Sequence, residues 1–161
     1  MIRYLVAALI VLPAATAAQT PAPNIPAAER TAIFKAAGAV QSGGQWYLCA
    51  DDPNRTPSTI DRYADLNGDG RPEAVVTDGG TFCYGMAGTG FQLVSKQLNG
   101  SWKVVAGEIG IPEFLPIKGV GGWPDIMIGG PGFCFPVQRW NGHEYALHRF
   151  EYEGRSCKPP R

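Results

Sequence analysis

The sequence predicts a mainly β domain of the α+β kind, with one N-terminal helix followed by two blade-like antiparallel β-meanders. Three observations lead there. Two Asn-Gly pairs, Asn99-Gly100 and Asn141-Gly142, each stand between runs rich in strand-forming residues. Glycine and proline, 21 and 14 of 161 residues, cut the chain into short segments. Only residues 26–38 carry the apolar spacing and end signals of a helix.

The chain opens with Met1-Ile2-Arg3, an apolar run through Leu12, and the small residues Pro13-Ala14-Ala15-Thr16-Ala17-Ala18. A basic start, an apolar stretch too short to span a bilayer and small residues before a cut read as a secretory signal over 1–18. No cysteine stands at the cut, so a lipid anchor is not indicated. Residues 19–25, with Pro21 and Pro23, read as a flexible leader, and 26–161 as a single β-rich domain.

Within the domain, Pro26 suits a first helical turn and Gly38 a C-terminal stop, while Ile33, Phe34 and Ala37 form an apolar stripe. After Gly43-Gly44 short strands begin, at 45–49, 60–64 and 73–77. Two hairpins follow, pairing 91–98 with 101–105 and 133–140 with 143–150. Asn-Gly at each turn predicts type I′ geometry, in which both central residues take positive φ. Segments 114–118 and 125–128 read as further strands.

A degenerate repeat runs through this region. Arg71-Pro72-Glu73, Phe82-Cys83 and Asn99-Gly100 recur as Trp123-Pro124-Asp125, Phe133-Cys134 and Asn141-Gly142. The first copy holds about ten extra residues around 84–91, judged from the unequal offsets. Two units are too few to close a propeller, so two packed meanders of about three strands each are expected.

Lysine and arginine together number 14, as do aspartate and glutamate. Loss of Arg3 with the signal leaves a charge of −1, which argues against a nucleic-acid binder. No other long apolar segment occurs, so no membrane insertion is expected after cleavage. The four cysteines, Cys49, Cys83, Cys134 and Cys157, are an even number in a chain read as exported, which favours two disulfides. Three pairings are open to them, and spacing does not choose. The equivalent repeat positions of Cys83 and Cys134 favour joining those two, which leaves Cys49 with Cys157.

The most specific motif is Asp65-Leu66-Asn67-Gly68-Asp69-Gly70-Arg71-Pro72-Glu73. Oxygen-bearing side chains fall at positions one, three, five and nine, and Gly70 permits a sharp turn. This spacing suits a hard cation, with the Arg71 carbonyl as a further ligand. Position twelve is Val76 rather than a bidentate Glu, and a strand follows, so the loop is not an EF-hand. An Asx-rich turn, in which the carboxylates bond local N–H groups, is the simpler alternative. The motif resembles the calcium loops of FG-GAP and VCBS-type repeats, found in small exported bacterial proteins. That resemblance implies a structural calcium ion held by Asp65, Asn67, Asp69, Arg71 and Glu73. It implies no reaction.

Catalytic signals are sparse. His143 and His148 lie on opposite sides of a regular strand, no serine sits in a nucleophile elbow, and no Gly-Lys-Ser/Thr follows the Gly-rich segments. Acids outside the loop, among them Asp51, Asp52, Asp78, Glu108, Glu113 and Asp125, could serve a hydrolase only if the fold gathers a pair. Trp46, Trp102, Trp123 and Trp140 read as packing residues more readily than as a binding surface. The expected function is therefore a non-enzymatic periplasmic or secreted domain that binds a protein or glycan. A small secreted hydrolase is the alternative, as is an envelope inhibitor or stress protein using the 84–90 loop.

Overall fold

The computed structural model describes residues 24–159. The expected signal and most of the leader lie outside the described residues. Ile25, assigned above to the leader, is buried in the core beside the helix.

Helix α1 spans Ala27–Ala36, with Pro26 as its N-cap. Gly38, at φ 84°, lets the chain turn away at its end. Strands β1 (Val40–Ser42) and β2 (Gln45–Tyr47) form a hairpin about Gly43-Gly44, whose φ values of 57° and 80° supply the turn. The sequence pattern marks these glycines as the boundary where strands begin; the structure adds β1 before them.

The rest is two consecutive meanders. Strands β3 (Thr59–Ala64), β4 (Glu73–Gly79), β5 (Thr89–Lys96) and β6 (Trp102–Ile109) form a four-stranded antiparallel sheet in sequence order. Strands β7 (Ile111–Lys118), β8 (Pro124–Gly129), β9 (Phe135–Trp140), β10 (Tyr145–Tyr152) and β11 (Arg155–Ser156) form a five-stranded one. Gly110, at φ 133°, is the whole connection between them.

The mainly antiparallel β character is as expected, but its finer division is not. Among the described residues there are three sheets, and a second short helix, α2 (Thr81–Tyr84), interrupts the first meander. The extra residues of the first repeat follow α2 as a 3-10 turn at Gly85–Ala87, which Gly88 closes in the left-handed region, before β5 begins.

The four-stranded sheet is central. Ala74, Val76 and Val94 point to one face and pack with Ile33, Phe34 and Trp46 of the helical layer. Val75, Phe91, Leu93 and Ala106 point to the other and meet Trp123, Ile126 and Ile128 of the five-stranded sheet. Strand β4 is thus buried on both sides, which explains its unbroken Ala74-Val75-Val76 run.

Neither Asn-Gly turn is type I′. Asn99 and Asn141 are not among the residues with positive φ, whereas Gly100 and Gly142 are, at 80° and 108°. In the first turn the Gly100 N–H donates to the Gln97 carbonyl at 2.9 Å, a type I turn followed by a left-handed glycine. The asparagines act through their side chains. Asn99 Oδ1 accepts from the Ser101 N–H, and Asn141 Oδ1 from the N–H groups of His143 and Glu144. These Asx bonds remove the need for positive φ at asparagine.

The disulfides are Cys49–Cys83 and Cys134–Cys157, with Cα separations of 6.3 and 5.7 Å. This overturns the pairing of Cys83 with Cys134. Repeat equivalence places these two in the connections that follow corresponding strands, β4 and β8, which lie in different sheets. Each meander is closed locally, the first to the loop after β2 and the second to the chain leaving β11.

Candidate functional site

The acidic loop joins β3 to β4. Its shape is set by side chains accepting from its own backbone. Asp65 Oδ1 accepts from the N–H groups of Gly68 and Asp69 at 2.8 and 3.1 Å, and its Oδ2 from Gly70 at 2.9 Å. Gly68 and Gly70, both at φ 83°, bend the chain so that these groups converge. The Gly70 bond, working against partial desolvation, heads the causes that hold the Asp65 carboxyl below its ordinary value. Asn67 Oδ1 accepts from the Asp69 N–H at 2.9 Å. Asp69 accepts from the Arg71 N–H at 2.9 Å and pairs with the Arg71 guanidinium at 2.5 Å.

Glu73 lies apart from this ring. It is fully buried, with Oε2 accepting from the Leu66 N–H and Oε1 from the Ser95 hydroxyl, both at 2.8 Å. Burial is the main reason its carboxyl titrates above the usual range, despite these bonds. Among the described residues, no three His, Cys, Asp or Glu side chains converge as a metal-ligand set. The side-chain oxygens of Asp65, Asn67 and Asp69 are nevertheless gathered in one compact turn. Carboxylate oxygens that accept one N–H keep a lone pair for a cation.

The internal repeat survives in three dimensions through its acids. Asp125, the counterpart of Glu73, is also fully buried at the start of its strand. Ser95 stands opposite Glu73 in the ladder, and the adjacent pair Ile126–Gln138 puts Arg139 opposite Asp125. Arg139 donates to both Asp125 oxygens at 2.8 and 2.9 Å, and Arg149 adds a third bond at 2.6 Å. Burial pushes the Asp125 carboxyl upward, but the two guanidiniums outweigh it and hold it below its ordinary value.

Of the other acids named from sequence, Asp51 is exposed and Glu108 accepts from Gln138. Asp52, in the loop after β2, and Asp78, near the end of β4, are both buried. His143 and His148 are both exposed. The tryptophans are packing residues. Trp46 stacks on Phe34 at 5.4 Å, and Trp102 meets Tyr63. Trp123 and Trp140 cluster with Tyr145.

A hollow of about 490 Å³ opens where the four-stranded sheet meets β7. Val75, Ile111, Pro112 and Phe114 give it an apolar lining. Asp61, Arg62, Thr77, Thr89 and Glu113 supply polar groups. Asp61 is fixed by two threonines, Thr59 Oγ1 and Thr77 Oγ1 each donating at 2.6 Å. The Arg62 guanidinium lies 5.2 Å from the Phe114 ring centroid. Glu113 is thus the one acid singled out from sequence that reaches this cleft. Asp61, its companion, sits beside Arg62 on β3 at a register shift, and no alternation in Thr59-Ile60-Asp61-Arg62-Tyr63 marks a lined face in the sequence.

Comparison with family models, with curated proteins and with solved structures gives no match to this chain. The two disulfides are consistent with an oxidising compartment. Among the described residues no helix is long and apolar enough to cross a membrane.

Proposed function

We propose that this chain is an exported, non-enzymatic binding domain whose ligand enters the cleft between the central sheet and β7. The observation that carries this is the cleft itself. Its volume and its apolar lining with a few fixed polar groups fit the general form of a small-ligand site.

The chemistry of the walls favours a glycan over an extended peptide. A peptide would add as a strand to the open edge of β7, but Pro112 and Pro116 withdraw two N–H donors from that strand. A sugar needs acceptors for its hydroxyls and an apolar face to lie on. Asp61, Glu113 and Phe114 provide these.

Calcium has a place in this reading. The Asp65–Arg71 turn connects the two strands that bear Asp61, Arg62, Val75 and Thr77. An ion held by Asp65, Asn67, Asp69 and the Arg71 carbonyl would stiffen that connection and steady the cleft floor. Glu73, the remaining residue of the expected set, instead supports the loop from beneath through Leu66.

The test is NMR titration of the labelled chain with a panel of neutral oligosaccharides in calcium. Amide shifts centred on 61–62, 75–77 and 111–114 are expected, weakened by Glu113→Gln and Phe114→Ala. Shifts centred elsewhere, or no binding across the panel, would defeat the assignment. The hydrolase alternative draws on one observation, the presence of both Asp61 and Glu113 in one cleft. Release of reducing ends by the wild-type chain, lost in Asp61→Asn and Glu113→Gln, would favour it over simple binding.

A further inference from the structure

A second groove, of about 290 Å³, opens where the two meanders meet and shares no lining residue with the cleft beside β7. Three segments converge on it. The acidic loop contributes Asp69 and Arg71, the β5–β6 hairpin Gln97 and Lys103, and the second meander Trp123 and Trp140. The internal repeat meets itself here. Arg71 and Trp123 hold equivalent positions, before Pro72 and Pro124, and both line the groove.

The walls are fixed in place. Trp123 and Trp140 lie 5.3 Å apart between ring centroids, and Tyr145 braces them at 6.1 and 5.4 Å. Trp123 is buried, while Trp140 keeps part of its surface open. The acidic loop is held against the second meander. Lys118 Nζ donates to the Leu66 carbonyl at 2.6 Å, and a methyl group on Gly122 would come 2.2 Å from the Asn67 carbonyl oxygen. Only glycine permits so close an approach of two backbones. Walls that are already ordered spare a ligand the cost of ordering them.

The charges of the groove do not balance. Asp69 pairs with Arg71 at 2.5 Å, and Arg71 Nε donates to the Lys96 carbonyl at 3.0 Å, so these two charges offset each other. Lys103 is exposed and forms no ion pair among the described residues. One positive charge is left over. Gln97 Nε2 donates to the Ser95 carbonyl at 3.0 Å, which leaves its Oε1 to accept.

We propose that this groove binds an acidic sugar, a uronate unit of a glycan, with a ring face on Trp140, the carboxylate on Lys103 and a hydroxyl on Gln97. An indole beside a lone cation suits a ring that carries its own negative charge. The aromatic surface takes the C–H face of the sugar, and the ammonium takes the anion. A single free ammonium matches the one charge of a carboxylate, whereas a phosphate monoester brings nearly two. The volume, at the lower end of small-ligand sites, suits one ring. This site is independent of the ligand proposed for the cleft beside β7.

The experiment titrates the full oxidised, isotope-labelled chain with galacturonate and glucuronate oligosaccharides in the presence of a chelator, so that calcium bridges nothing. Their methyl esters, which keep the ring and lose the charge, are the control. The indole N–H signals of Trp123 and Trp140 and the Lys103 amide should shift, and the esters should bind at least about tenfold more weakly. Lys103→Glu should weaken the acids by a similar factor or more, and Lys103→Arg should retain most of the affinity. Lys103 is exposed, so both variants should keep a native near-UV spectrum, which separates lost binding from lost folding. Phe114→Ala, in the other cleft, should leave this binding unchanged. Four results would overturn the proposal. The first is no binding of either acid, and the second is esters that bind as well as the acids. The third is an affinity unmoved by Lys103→Glu. The fourth is shifts centred on 61–62 and 111–114 that vanish with Phe114→Ala, which would put the sugar in the cleft beside β7 instead.

Discussion

Asp125→Ala should be among the most damaging single substitutions outside the apolar core. The carboxylate is fully buried and accepts three hydrogen bonds from Arg139 and Arg149, whose side chains are 33% and 21% exposed. Alanine would leave both guanidiniums aimed at a void. Removing one partner of a buried ion pair costs about 3–5 kcal/mol. The arginines can reach water in part, so the lower end applies, about 3 kcal/mol. For a domain of this size that corresponds to a fall of roughly 10 °C in melting temperature. The effect has a pH signature. Because the folded Asp125 carboxyl titrates below its unfolded value, its contribution is present above the unfolded pKa and disappears as pH falls through the folded one. Wild type and variant should therefore differ fully at pH 7 and converge in acid. Urea unfolding from pH 7 downward, with disulfides intact, measures this. A variant within about 0.5 kcal/mol of wild type at pH 7, or a gap that does not narrow in acid, would refute the reasoning.

Other expectations follow from the same geometry. Non-reducing peptide mapping should recover Cys49 with Cys83 and Cys134 with Cys157, and replacing either pair by serine should cost roughly 3–4 kcal/mol on the chain-entropy estimate for loops of this length. Glu73→Gln should be tolerated at pH 7, because an amide can accept from Leu66 and donate to Ser95, whereas Glu73→Ala should cost about 2–3 kcal/mol for the orphaned groups. Burial raises the Glu73 carboxyl, so the wild type loses stability as pH rises through its folded pKa, and the Gln variant should gain on it as pH rises out of the acid range, by urea unfolding. Calcium should raise the melting temperature of the wild-type chain, and Asp65→Ala or Asp69→Ala should remove that rise. Identical scans in calcium and in chelator would leave the loop as an Asx turn alone.

Much of this fold was written in local chemistry. Pro26 and Gly38 bracket α1, and the two Asn-Gly pairs sit where chains reverse, because turn residues act over a few positions. The turn type was misjudged because asparagine had two ways to serve, through backbone φ or through its side chain, and sequence does not separate them. Strand β11 was missed because two residues, Arg155-Ser156, carry no pattern. The disulfides failed for a different reason. Repeat equivalence is a statement about one chain, whereas bonding depends on which sheet each strand joins, and Gly110 sends the second repeat into a sheet of its own. The acidic loop was plain from spacing. The inward turn of Glu73 was not, since its partner Ser95 is set by the β4–β5 register. The cleft was invisible for the same reason: Asp61 and Glu113 are 52 positions apart, and only the meeting of the two sheets brings them together.

Strand β4 is a party wall between two interiors, with Val75 facing one and Ala74 and Val76 the other. Neither compartment can be vacated while the wall stands, and the wall has no stability of its own without both. The helical layer, which touches nothing in the cleft, therefore acts on it at one remove. Loosening Phe34 or Trp46 would be felt as slackness at Thr77, two residues along the same strand from Val75. A change of volume on one side of β4 is therefore also a change in the support of the other.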